Sequence, residues 1–269
     1  MSGWRLALKS VPTLRVDLRS VSPAAFAELD AAAVGRHTVH HGNEAVALGD
    51  LFTITPGPED ELRLEGDLSR FDRIGWQLAG GTIRVEGATG DYLGAGMSGG
   101  EIVASGHAGL LAACEMSGGR LEIGGDAGDF AASALPGSMD GMRGGTLIVR
   151  GNAGQRFGDR MRRGTALVLG DADDFVASRL VAGTIAVGGQ LGAHPGYGMR
   201  RGTLLALGPA PVLPPTFVAN PVDIGVFWQL VARDLARHGG AFATLPKRRP
   251  SRYLGDLAAG GKGELLVVA

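Results

Sequence analysis

Four sets of side chains in this sequence have types and spacings that could carry chemistry. His37, His40 and His41 form an H-x-x-H-H cluster, and neutral imidazole is a common metal ligand. No cysteine or second histidine cluster completes a metal site. Asp67, Asp126, Asp171, Asp173 and Asp174 are carboxylates close to glycines; acids paired across neighbouring segments are what glycan cleavage needs. Arg143, Arg162 and Arg200 recur ahead of glycines, with Arg163 and Arg201 beside two of them. Clustered guanidinium groups suit bidentate contact with carboxylates or phosphates. Cys114 lies between Ala113 and Glu115, where a free cysteine behaves as a small buried apolar group.

What these groups can do depends on the elements that position them, and one repeat dominates. TIRVEGATGDYLGAGMSGG (82–100) is followed by EIVASGHAGLLAACEMSGG (101–119), and after one longer block come TLIVRGNAGQRFGDRMRRG (146–164), TALVLGDADDFVASRLVAG (165–183) and TIAVGGQLGAHPGYGMRRG (184–202). The step is 19 residues, broken once to 26 between Gly125 and Gly151 by an insertion around 134–140 (ALPGSMD). A fixed period of this size marks a repeat architecture.

Each block opens with an alternating run, as in Ile83/Val85, Leu121/Ile123, Leu147/Val149 and Ile185/Val187, which is strand periodicity. Corner glycines follow: Gly87 and Gly90, Gly106 and Gly109, Gly125 and Gly128, Gly151 and Gly154, Gly170, then Gly189 and Gly192. Next comes a small residue (Gly94, Ala113, Ala132, Gly158, Ala177, Gly196), then a long apolar one (Met97, Met116, Met142, Met161, Leu180, Met199). Glycine at this density excludes helix, at about 1 kcal/mol each relative to alanine. The pattern predicts a mainly β fold, a right-handed parallel β-helix of about 19-residue coils, consistent with the usual crossover hand. The left-handed hexapeptide helix needs a period that is a multiple of six. The corner glycines are expected where φ is positive or where neighbouring backbones approach closely. Thr146, Thr165, Thr184 and Thr203 are expected as an outer ladder.

In this frame the position after the corner glycine reads Ala88, His107, Asp126, Asn152, Asp171, Gln190. That is a mixed polar ladder without paired acids in consecutive coils, so a self-contained glycan-active enzyme is disfavoured. The Gly-x-x-Gly corners are not phosphate loops, since no Lys-Ser/Thr follows and no helix opens there. No catalytic, cofactor-binding or metal-binding residue is predicted. The five arginines fall along one edge, either solvated or in contact with an acidic partner or a polyanionic cofactor tail.

Three regions are expected: a cap over 1–60, the repeats over 61–208, and a helix and tail over 209–269. In the cap, Leu14, Val16 and Leu18 suggest a strand, and Ser22-Pro23 opens a helix over 24–34 that ends at Gly35. Val46 and Leu48 before Gly49, with Phe52 and Ile54 after it, suggest a degenerate first coil. Beyond the proline-rich PAPVLPPTF (209–217), Asn220-Pro221 opens a helix over 222–238 with Val222, Val226, Leu230 and Val231 at helical spacing. The outward strand position changes from Arg84, Val103 and Glu122 to Ile148, Leu167, Ala186 and Leu205. An apolar patch of that kind is covered or used as an interface; the 222–238 helix is the expected cover. The basic run PKRRPSR (246–252) reads as solvated surface.

Composition agrees. The chain has 269 residues, 46 of them glycine, a net charge of −1 and one cysteine. The charge gives no general case for nucleic acid or a membrane surface. A lone cysteine fits a reducing compartment. No apolar run approaches membrane-spanning length and MSGWRLALKS lacks a signal-peptide core. A cytoplasmic location is expected.

Tandem G-x-x-G-x-x-x-G blocks closing on M-x-x-G, as in GNAGQRFG…MRRG (151–164) and GQLGAHPG…MRRG (189–202), resemble the GXGXG β-helix domain. That domain occurs in the glutamate synthase large subunit. It also forms the C subunit of formylmethanofuran dehydrogenase and of the bacterial formyltransferase/hydrolase complex. The resemblance covers about 60–210. The tail RYLGDLAAGGKGELLV from Arg252 resembles these C subunits rather than a glutamate synthase domain. The resemblance implies a structural, non-catalytic subunit. Its complex would move a formyl group from formyl-tetrahydromethanopterin to a methanofuran-type carrier and hydrolyse it to formate, in the formaldehyde oxidation of methylotrophs. The implied partners are formyltransferase, amidohydrolase-like and molybdoenzyme-derived B-type subunits. Tetrahydromethanopterin, the methanofuran analogue and zinc would be held by those subunits. The alternative is a β-helix spacer subunit of a glutamate synthase-like enzyme. The chain departs from its own repeat at Asp173, where a glycine is expected, and in the 134–140 insertion; both are expected contact points.

Overall fold

The computed structural model describes residues 3–268. Strand-forming runs repeat at the block period, and they stack in parallel as Glu61–Glu65, Thr82–Glu86, Glu101–Ala104, Arg120–Ile123, Arg143–Val149, Arg163–Val168, Thr184–Val187 and Thr203–Ala206. Thr82 faces Glu101, then Arg120, Thr146, Thr165, Thr184 and Thr203 in turn. Alternation sends Ile83, Ile102, Leu121, Leu147, Ile185 and Leu204 inward, each fully buried. The Met97, Met116, Met142, Met161, Leu180 and Met199 file is fully buried as well. The threonines stand in register on the outer side; Thr203 is covered and donates to Glu264 Oε1 at 2.6 Å.

A second side of each coil is a file of single parallel bridges running Leu68, Thr89, Ala108, Ala127, Ala153, Ala172, Leu191. The third side has an unusual backbone. Phe175, Ala177 and Arg179 have φ of 62°, 58° and 53°, and the same left-handed alternation occurs at Arg156, Gly158 and Arg160. Non-glycine residues seldom enter this region. Here the alternation points successive N–H groups up and down the stack. Phe175 and Arg179 donate to Ala193 and Tyr197 of the next coil, and Ala177 to Phe157 of the previous one. Inter-coil hydrogen bonds thus offset a local backbone cost of about 1 kcal/mol or more per residue.

Of the two expected reasons for the corner glycines, close backbone approach is the one that prevails. Among them only Gly87 has a left-handed φ, +144°. The rest are glycine because the coil beneath is too close. A Cβ on Gly106 would lie 2.6 Å from Gly87 C, and one on Gly192 would lie 2.6 Å from Asp173 C.

The N-terminal cap differs from expectation in four ways. The first strand, Gly3–Leu8, is itself a parallel rung beside Glu61–Glu65. Phe52–Gly57 is not a degenerate coil but an antiparallel strand beside Gly3–Leu8, and Gly49 lies in the short helix Leu48–Leu51. The helix expected over 24–34 is two, Pro23–Phe26 and Ala31–Arg36. Ser22 caps the first as expected; Asp30 caps the second by accepting from Ala33 N–H at 2.7 Å. A capping aspartate favours non-helical backbone, so it divides the run. Of the Leu14/Val16/Leu18 strand only Val16–Asp17 is extended in a sheet.

At the other end the apolar outer patch is covered as expected. Ile148, Leu167, Ala186 and Leu205 are buried under Trp228, Ala232 and Leu235 of the helix Gly225–Ala236, with Phe242 and Leu245. The helix begins at Gly225, not at Pro221; Asn220 instead turns the chain by accepting from Val222 N–H at 2.9 Å. Its buried face agrees with the predicted one only at Val231, which packs half-buried against this cluster. Val222, Val226 and Leu230 are exposed, because Trp228 offers more apolar area and its Nε1–H reaches Arg248 O at 2.7 Å. The tail does not leave the fold. Gly263–Val267 adds a parallel strand beside Thr203–Ala206, and Ser251–Gly255 pairs antiparallel to it. The basic run is only partly solvated: Arg248 donates to Val268 O at 2.8 Å.

Candidate functional site

The carboxylates near the corners are occupied by the stack itself. His107 Nδ1 accepts from Asp126 N–H at 2.9 Å, Asp126 from Asn152 at 2.7 Å, Asn152 from Asp171 at 2.8 Å and Asp171 from Gln190 at 2.7 Å. A second file does the same: Asp91 accepts from Leu110, Asp129 from Gln155 and Asp174 from Ala193. The corner glycines fit over these side chains. Cβ atoms on Gly109, Gly151, Gly154, Gly170 and Gly189 would strike Asp91, Asp126, Asp129, Asn152 and Asp171 respectively. An Asp or Asn with a glycine about one coil later is thus a sequence signal for this cap. Asp67 accepts from Ser69 N–H within its own turn. Asp173 replaces a glycine where the residue below is Gln155, and its own carboxylate accepts from Asp174 N–H at 2.7 Å. The open groove of about 440 Å³ past Asp126, Asn152 and Asp171 is lined by these engaged groups.

The histidines do not converge. His37 Nε2 meets Ser20 Oγ at 2.9 Å and its ring packs edge-on against Phe26; burial holds its imidazole below the usual pKa. His41 Nε2 accepts from Leu14 N–H at 3.1 Å, and His40 is exposed. Among the described residues no three His, Cys, Asp or Glu side chains are placed to hold a metal ion.

Cys114 is fully buried, with Sγ 3.3 Å from Ser133 Oγ. Burial pushes its thiol up to about 12. Because the folded value lies above the unfolded one, its contribution to stability is complete below pH 9.0 and is lost as pH rises toward about 12. Iodoacetamide at about pH 8 should therefore leave the native thiol unlabelled and label the denatured chain, since the thiolate is the nucleophile. Comparable labelling of both, read by intact mass, would contradict this burial.

Sequence reasoning missed an ion pair between the buried Asp159 and the half-exposed Arg179. Asp159 accepts from Ser178 Oγ at 2.6 Å and from Arg179 Nε at 2.8 Å. Its residue types carry no repeat signal, so only the stacking shows it. These bonds make it part of the framework.

The five arginines remain as an exposed edge. Arg143 pairs in register with Arg163, ahead of a register shift between Arg143 and Thr146. Arg162 Nε meets Asp140 Oδ1 of the inserted segment at 2.5 Å. Arg143, Arg163, Arg200 and Arg201 carry no carboxylate partner among the described residues. The inserted segment emerges as a surface loop with Met139 66% exposed.

No protein-family model matches the chain. By sequence, a 79-residue segment is 46% identical to the Fhc C subunit of the formyltransferase/hydrolase complex of Methylorubrum extorquens, covering 29% of this chain and 30% of that relative. A 100-residue segment is 35% identical to the C subunit of the tungsten-containing formylmethanofuran dehydrogenase 2 of Methanothermobacter thermautotrophicus, covering 35% of this chain and 37% of that one. The decisive likeness runs the whole length. A chain in the X-ray crystal structure of the formyltransferase/hydrolase complex FhcABCD from Methylorubrum extorquens, in complex with methylofuran, superposes with a TM-score of 0.91 at 43% identity. It covers 98% of this chain and 99% of the other.

The chain belongs to the Fhc C-subunit family.

The sequence segments span only about a third of the curated C-subunit relatives, whereas the fold matches end to end. Membership of this family does not favour the glutamate synthase-like alternative. Among the described residues no helix is long and apolar enough to cross a membrane.

Proposed function

We propose that this chain is a structural, non-catalytic subunit of a formyltransferase/hydrolase-type complex. That complex would convert formyl-tetrahydromethanopterin, through a formyl-methanofuran-type carrier, to formate in one-carbon oxidation. The observation that carries this reading is the end-to-end correspondence with a chain of the FhcABCD crystal structure. The geometry supports the non-catalytic part. The corner carboxylates accept from backbone N–H groups of neighbouring coils, and the buried thiol is held neutral. Formyltransferase, amidohydrolase-like and molybdoenzyme-derived chains are then the partners, and tetrahydromethanopterin, the methanofuran analogue and zinc belong to them. The same reading takes the rod as a right-handed β-helix of 19-residue coils and the location as cytoplasmic, in keeping with its free thiol.

Affinity purification of the tagged full chain from its own cells tests the proposal. A formyltransferase and an amidohydrolase-like chain should co-purify, and the complex should release formate from formyl-tetrahydromethanopterin. Recovery with a flavin and iron–sulfur protein instead, or formate release by the isolated chain, would overturn it.

A further inference from the structure

One edge of the rod changes character along its length. The corner residues Ser98, Ser117, Arg143, Arg162, Val181 and Arg200 are equivalent, because their N–H groups donate to Leu78, Met97, Met116, Met142, Met161 and Leu180 in turn. In the first coils this corner is small and neutral: Ala79-Gly80, Ser98-Gly99, Ser117-Gly118. Past the insertion it becomes Arg143-Gly144, Arg162-Arg163, Val181-Ala182 and Arg200-Arg201.

The tail adds a further charge to the same file. Glu264 pairs with Thr203, and its N–H donates to Gly202 O at 3.0 Å. Lys262, two residues before Glu264, therefore extends the file as the rung after Arg201. Arg143, Arg163, Arg200, Arg201 and Lys262 are exposed, and none has a carboxylate partner among the described residues. Elsewhere on the chain many exposed arginines are paired, Arg5 with Glu65, Arg15 with Asp72 and Asp91, Arg19 with Asp17 and Arg150 with Glu122. Those without a carboxylate among the described residues, such as Arg36, Arg233 and Arg249, are scattered and do not form a file.

Like charges on neighbouring rungs about 4.8 Å apart, Arg143 beside Arg163 and Arg201 beside Lys262, repel one another, and they repel across the neutral Val181-Ala182 rung as well, so the ridge adds nothing to the stability of the rod. Beside it Thr146, Thr165 and Thr184 present a half-exposed, in-register row of hydroxyls. Guanidinium groups flanked by hydroxyls match carboxylates in charge and in hydrogen-bond geometry. With a net charge of −1 over the whole chain, the attraction is local to this edge, unlike the broad field of a nucleic-acid binder. The face lies along an edge over five rungs, roughly 19 Å by strand spacing, as a surface contact requires and an enclosed ligand pocket does not.

We propose that Arg143, Arg163, Arg200, Arg201 and Lys262 form the docking ridge for a carboxylate-rich face of another protein subunit. The proposal rests on the reading of the chain as a member of a multi-subunit complex. The test compares the tagged full chain with a variant carrying Arg143→Glu, Arg163→Glu, Arg200→Glu, Arg201→Glu and Lys262→Glu, each purified with its partners from the same cells. The variant should melt no lower than the parent and recover partner chains at about a tenth of the parental yield or less near physiological salt. Parental recovery should fall as salt is raised. A variant set with glutamine at the five positions covers any folding failure of the reversal and should show the same loss in weaker form. Parental yield and unchanged salt dependence in both variants would overturn the ridge while leaving subunit membership intact. Retention of a nucleic acid or other free polyanion by the parental ridge, with normal assembly of the variants, would also overturn it. Absence of any partner with the parental chain would overturn both readings.

Discussion

Gly154→Val should collapse a corner of the rod. The added Cβ would strike the Asp129 carboxylate and lie 2.8 Å from Asp129 N and 3.0 Å from Gly128 C. Neither backbone atom can retreat, since Gly154 N–H donates to Ala127 O at 2.9 Å and Gln155 N–H to Asp129 Oδ1 at 2.8 Å. Overpacking a rigid interior costs about 3 kcal/mol, the upper end of the usual range, and valine adds its γ-methyls. For a chain of this size that lowers the melting temperature by about 10 °C. Gly80→Ala is the control. Its φ is not left-handed, and a Cβ there would meet nothing within 4 Å, so its melting temperature should match the parent. Equal melting temperatures for Gly154→Val and Gly80→Ala would refute the account of the corners as sites of close backbone approach.

Trp228→Ala should detach the C-terminal helix and leave the rod standing. Trp228 is 3% exposed and packs with Ala232 and Leu235 over Ile148, Leu167, Ala186 and Leu205. Removing a buried indole costs about 3–5 kcal/mol, and Arg248 O loses its donor as well. The effect falls on the smaller of two apolar clusters, so the expected change is local opening. Hydrogen exchange should accelerate over Gly225–Ala236 and Gly240–Lys247 while the strands from Thr82 to Ala206 keep their protection. The uncovered patch should bind a hydrophobic dye. Val226→Ala, on the exposed face of the same helix, should change neither. Uniform loss of protection along the chain would show that helix and rod unfold as one unit.

The rod was legible because its signal is periodic. Alternating apolar pairs, a methionine file and glycines at a constant step each predict the same stack, and the strand register follows that step through the insertion at 134–140. The apolar shift at Ile148, Leu167, Ala186 and Leu205 also located the helix cover correctly. What failed was non-periodic. The Gly3–Leu8 and Gly263–Val267 rungs occur once each at the ends, so no repeat announces them. The helix over 222–238 is apolar on two faces, and spacing alone could not decide that Trp228 faces inward while Val226 faces out.

The polar side chains show the same division. Asp126, Asp171 and Asp174 were legible as carboxylates near corners. Their engagement with N–H groups one coil away was not, because a hydrogen bond between coils depends on rise and lateral offset. The arginine edge was legible as a column of like residues. Its extension to Lys262, and the want of partners for Arg143, Arg163, Arg200 and Arg201, required the tail's path and the position of every nearby acid.

By itself the sequence determined the winding of the chain into stacked coils, since the spacing of apolar and side-chain-free residues is a local property that any stack must respect. Tertiary structure alone decided which of the two expected reasons keeps each corner bare, which acids cap their neighbours and which cations stay unpaired. Those outcomes are set by distances between coils, and residues nineteen or sixty positions apart acquire such distances only when the chain has folded.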